Sequence, residues 1–175
     1  MYEYTEDGIY LEVVENAFPY YYNYFLDNPN VAMITWHSQA YSKAFFLTKK
    51  RKYADYVFLL NDWSMLKQIS QSENETFLGG YGTSPGISTA VYNEGMNDVY
   101  LVAKELGDSR IGKYRESIKL SNKFILQLQT TNKKDINALG GFKKSLRNPN
   151  QRIDNNQHAI NSMIKSLKNY DLIYN

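Results

Sequence analysis

Residues 52–84 read KYADYVFLLNDWSMLKQISQSENETFLGGYGTS, and residues 113–145 read KYRESIKLSNKFILQLQTTNKKDINALGGFKKS. Laid on each other at an offset of 61 residues, without a gap, they agree at Lys52/Lys113, Tyr53/Tyr114, Leu59/Leu120, Asn61/Asn122, Gln68/Gln129, Leu78/Leu139, Gly79/Gly140, Gly80/Gly141 and Ser84/Ser145. Similar residues fill further positions: Asp55 falls on Glu116, Val57 on Ile118, Trp63 on Phe124 and Tyr81 on Phe142. Self-similarity at a fixed period is the mark of a repeat architecture. Chance pairing of two helical stretches gives a few matches, but it rarely keeps a helix, a Gln and a Gly-Gly-aromatic turn in one register.

Outward from the repeat, the elements follow from apolar spacing. Tyr53, Tyr56, Val57, Leu60, Trp63 and Leu66 recur at helical intervals, which predicts a helix over 51–70. Trp36, Ala40, Ala44, Phe46 and Leu47 do the same over 32–48. Residues 9–26 read as a helix interrupted near Pro19. Residues 87–106 read as a helix that starts after Pro85 near Ser88 and closes at Gly107, a residue suited to a left-handed cap. Asp108 and Ser109 start a helix over 109–130, and Asp154 is expected to cap the last one, 155–170. The polar, Gly-bearing stretches 71–86 and 131–152 are loops. The reading is a single all-α domain over 1–175, with about six helices in three hairpins. Helices 32–48, 87–106 and 155–170 are richer in small residues and are expected to form an inner layer, with 9–26, 51–70 and 109–130 outside it. Both Gly-Gly turns then emerge at one end.

Composition narrows the function classes. Apolar residues make up 43% and charged residues 22% of 175, an ordinary globular balance. No apolar run reaches the roughly 20 residues of a membrane span, and residues 1–8 lack the basic and apolar regions of a secretory signal. A cytoplasmic location is therefore expected. Cysteine is absent and the only histidines are His37 and His158, so neither a metal site nor a cofactor is expected. The net charge of +2 is unevenly distributed: residues 1–30 carry six acids and no Lys or Arg, whereas residues 131–175 carry eight bases and three acids. Solvated faces account for such a split, as does attraction between the two ends within a chain or between chains. The bases are scattered and no nucleic-acid motif accompanies them, which makes nucleic acid an unlikely partner.

The pattern resembles the α/α-toroid superfamily of six-hairpin glycosidases, sugar epimerases and terpenoid cyclases. The residues behind the resemblance are Trp36 to Gln68, Glu94 to Gln129, and Gly140-Gly141-Phe142 to His158. In such folds, loops feeding the inner helices surround a funnel that binds substrate. A closed toroid has about twice as many helices, so the resemblance implies half of a toroid, completed by self-association or a partner segment, or an open curved solenoid. It further implies a glycan or small polar substrate, in a glycosidase-like or epimerase-like protein. The alternative is a non-catalytic helical scaffold.

Three inner-helix starts carry chemistry. Glu94 and Asp98 are four apart on one helix face, and paired carboxylates are what glycoside hydrolysis uses; they equally suit a solvated face. Gly95 between them suggests close packing or close approach of a ligand. Asp154 and His158 are likewise four apart; His158 is a candidate acid or base, and Arg152 a candidate for bidentate binding of an anion. Those side chains equally read as a cap, an ion pair and a buried imidazole. Trp36 and His37 lie near the start of the first inner helix. The candidate catalytic residues are thus Glu94, Asp98 and His158, and the candidate substrate-binding residues Trp36, His37, Tyr81, Tyr92, Phe142, Arg152, Asp154 and Gln157. Trp36 or His37, Glu94, Arg152, Asp154 and His158 are expected around one cavity, with Glu94 and His158 on the order of 10 Å apart and a pocket between them. The sixteen tyrosines, clustered at Tyr20, Tyr21, Tyr22 and Tyr24, suit sugar platforms or helix interfaces.

Overall fold

The computed structural model describes residues 1–134 and 136–175. Its helices are α1 (Tyr2–Thr5), α2 (Ile9–Asp27), α3 (Ala32–Thr48), α4 (Arg51–Met65), α5 (Ser88–Leu106), α6 (Ile111–Gln127), α7 (Ile153–Lys168) and α8 (Tyr170–Tyr174), with a 3-10 turn at Glu75–Phe77. Among the described residues there are isolated β-bridges but no strand. The fold is all-α, as the spacing predicts. No helix of the described residues is long and apolar enough to cross a membrane.

The repeat is present in the backbone. Gln68 bridges Tyr81, and Gln129 bridges Phe142. Around the first bridge, Ile69 N–H donates to Gly80 O, Gly79 N–H to Ile69 O and Gly82 N–H to Lys67 O; around the second, Thr130 N–H donates to Gly141 O, Gly140 N–H to Thr130 O and Lys143 N–H to Leu128 O. Every pair is displaced by the same 61 residues. The Gln68 and Gln129 amides reach the carbonyls of Gly79 and Gly140, at 3.4 and 3.1 Å. Gly79 and Gly140 sit at φ +86° and +84°, in the region that favours glycine.

The helices assemble as the small-residue argument expects. α5 lies between α3 and α7, and these three form a row; α4 packs on α3 and α5, and α6 on α5. One core joins α3, α4, α5 and the start of α6 through Ile34, Tyr53, Tyr56, Leu60, Met96 and Tyr114. A second joins Ala90, Phe124, Ile125, Leu128, Phe142 and Ala159. Burying each large side chain contributes roughly 1.5–3 kcal/mol. Phe124 is fully buried, as a core residue should be, while its repeat partner Trp63 is half-buried against Phe25, with Lys67 over its ring.

Several boundaries differ from expectation, each for a local reason. The helix expected over 51–70 stops at Met65 because Lys67, Gln68 and Ile69 pair instead with the Gly-Gly turn. Pro19 does not interrupt α2: it is exposed and sits inside one continuous helix, where it removes a single N–H donor. Asp154 does not cap α7. The cap position is Arg152, whose guanidinium holds the Asp154 carboxylate inside the first turn. Gly107 closes α5 at φ +62°, as expected.

Candidate functional site

α5 is buried along most of its length because four helices, α3, α4, α6 and α7, surround it. Gly95 makes that approach possible. A Cβ there would stand 3.0 Å from Asn61 Oδ1 and 3.1 Å from both Ile34 and Ser38. Gly95 thus serves close packing of α3, α4 and α5. Its neighbour Glu94 is carried to the other side of α5, toward α7.

There the Glu94 carboxylate meets His158: Oε1 lies 2.7 Å from Nδ1. Trp36 reaches over from α3, its ring 6.0 Å from the His158 ring. Residues 122 positions apart in the chain (36 and 158) therefore close over α5 from both flanks. Glu94 is left only 2% exposed, while Trp36 remains 55% exposed. Burial pushes the Glu94 carboxyl above the ordinary carboxylate range, and the hydrogen bond from His158 works against that rise. One turn along α5, Asp98 takes an ion pair from Lys165 of α7 at 2.6 Å, and the same ammonium lies 3.4 Å from the Glu94 carbonyl. Burial raises the Asp98 carboxyl too, with Lys165 opposing.

The arrangement differs from the expected one in a way that changes roles. Glu94 and His158 are in direct contact, so no pocket separates them. The cavity that Trp36 lines, about 370 Å³, opens instead toward Tyr2, Leu11, Lys43 and Leu47 on α1, α2 and α3. A carboxylate bonded to Nδ1 fixes the imidazole plane and directs Nε2 away from itself. Of the two side chains, the imidazole is the more exposed, 17% against 3% for Glu94.

The other candidates lie elsewhere. His37, though adjacent to Trp36, faces the aromatic core: its Nδ1 is 2.8 Å from the Tyr56 hydroxyl and its ring packs on Tyr21. Burial holds it below the usual histidine range. Tyr81 and Tyr92 stack on each other with ring centres 4.4 Å apart, and the Tyr81 hydroxyl pairs with Ser117. Phe142 is in the second core. Arg152 and Asp154 pair with each other on the surface, and Gln157 is exposed. Neither Arg152 nor Asp154 reaches Glu94, so the expected five-residue convergence reduces to Trp36, Glu94 and His158. Lys165 belongs to the site and was missed from the sequence. Its spacing of seven from His158 places both on one face of α7, and that signal was readable.

Among the described residues, no group of three or more His, Cys, Asp or Glu is placed to hold a metal ion. No family model, no curated protein and no solved structure matches this chain.

Proposed function

We propose that the exposed face of the α3–α5–α7 row binds a neutral polar molecule of carbohydrate type, with Trp36 as the stacking platform and His158 as the acid or base. The observation that carries this reading is the Glu94–His158 contact beside an exposed tryptophan. A carboxylate behind an imidazole is the arrangement by which a histidine is oriented for proton transfer. Glu94 acts here as a positioning residue, because it is buried and committed to His158. Asp98 is likewise committed to Lys165. Two-carboxylate glycoside hydrolysis requires one carboxyl at the leaving group and the other at the sugar ring. Glu94 and Asp98 both turn inward, which favours single-base proton transfer of the epimerase kind over hydrolysis. The architectural resemblance to toroid proteins supports the same substrate class.

The test is titration of a panel of mono- and disaccharides into the protein, followed by NMR of backbone and indole N–H groups. The expected result is saturable shifts centred on Trp36 and on residues 94–98 and 158–165. Trp36→Ala should weaken binding about tenfold or more, since losing a stacked ring costs on the order of 1 kcal/mol beyond its area. If no sugar produces shifts, or if Trp36→Ala leaves them unchanged, the scaffold reading takes its place.

A further inference from the structure

In the repeat, an outer helix packs on the inner helix that precedes it: α4 on α3, and α6 on α5. α7 has in that place only the five-residue α8. An apolar cavity of about 470 Å³ remains between α6, α7 and α8, lined by Leu126, Ile160, Met163, Ile164, Leu167 and Tyr170 among others. Ile160, Ile164 and Leu167 are exposed, and at the helical period of about 100° per residue they form one stripe. A second apolar stripe lies uncovered on α2. Its residues Ile9, Val13, Tyr20 and Tyr24 are exposed, and at the same period they too share one face, which Glu12 and Asp27 border.

The two faces are complementary in apolar character and charge: the groove leaves the α7 stripe uncovered, and α2 presents a helix-long stripe of its own. Exposed Lys123 and Lys168 follow the groove residues Asn122 and Leu167 on α6 and α7, opposite in charge to Glu12 and Asp27 beside the α2 stripe. We propose that the α6–α7–α8 groove receives α2 of a second copy of this chain, so that the copies join head to tail and the helical row continues across the junction. Such an interface is heterologous: each copy keeps one free head and one free tail, and the assembly grows unless it closes into a ring. Opposite charges at the joint make it sensitive to salt.

The experiment uses sedimentation of the full chain with Val13→Lys, which blocks the head, and Ile164→Glu, which blocks the tail. Both positions are exposed, so both variants should melt like the parent. The parent should exceed its monomer mass of 20.4 kDa increasingly with concentration, and less so in high salt. Each variant alone should be a monomer, because every joint needs one intact head and one intact tail. Their equimolar mixture should give a species of two chains and no larger, since it contains one usable joint. A parent that stays monomeric at all concentrations overturns the proposal. So does a variant that still associates alone, or a mixture that stays monomeric, which is the behaviour of a symmetric interface.

Discussion

Glu94 is where the electrostatic cost of the inner row is concentrated. The fold disfavours its charged form through burial and recovers part of that cost through His158. The sign follows from linkage. Its folded pKa is raised above the ordinary 4.5, so its stabilising contribution is present below that value and is lost as pH rises through the folded pKa. Glu94→Gln keeps an amide in contact with the imidazole and has no charge to desolvate. Relative to the parent, the variant should therefore gain stability between pH 4 and pH 8, as read by urea midpoints at each pH. A difference that is constant across that range, or that runs the other way, would mean that the carboxylate is not desolvated. Gly95, one residue on, illustrates how far sequence reaches at this scale. Its presence inside a helix announced either tight packing or a ligand, and only the contacts with Asn61, Ile34 and Ser38 decide for packing.

Among the elements, the two Gly-Gly turns are alike in backbone and unlike in surroundings, which gives them different tolerances. At Gly140 a Cβ meets open space and only the positive φ opposes it; at Gly79 a Cβ would lie 1.9 Å from the Leu120 carbonyl oxygen. Gly140→Ala should cost about 1–2 kcal/mol, the usual strain of a left-handed residue. Gly79→Ala should cost clearly more, because the obstacle is the backbone of α6, which cannot rotate away. Equal losses in parallel denaturant melts would contradict this difference. The turns were legible as a repeated motif, since glycine pairs before an aromatic stand out from helical sequence. The helix centres were legible for a similar reason, because each buries a stripe at the helical period. The end of α4 was not: Leu66 and Ile69 continue the apolar spacing, and only pairing with the Gly-Gly turn ends the helix before them. The short α1 and α8 carry too few residues to show a period at all. Asp154 was misread as a cap because nothing in the sequence says that α7 begins before it, at Ile153, which leaves Asp154 inside the first turn, where its Oδ1 accepts from Arg152 and from the Asn155 N–H.

Across the whole molecule, the inner row is held in register by a buried polar seam as well as by apolar packing. Asn93 of α5 donates to Asn122 of α6 and to Ser162 of α7, Asn97 donates to Ser166, and Ser166 in turn donates to Asn122. Asn61, the repeat equivalent of Asn122, donates to Ser38 of α3. Buried amides that must find one another disfavour sliding of one helix along the next, since a slip would leave them unpaired. That fixed register brings Trp36 and His158 together over Glu94. The sequence placed chemistry at three inner-helix starts, but it could not say how far each helix is rotated; His37 and Trp36, adjacent in sequence, point to different sides for that reason. The closure of α3 and α7 over α5 is tested most directly by a nuclear Overhauser measurement between ring protons. Cross-peaks between the Trp36 indole and the His158 imidazole, with others from His158 to the Glu94 side chain, are the predicted result. A His158 ring that shows contacts only within α7 would contradict it.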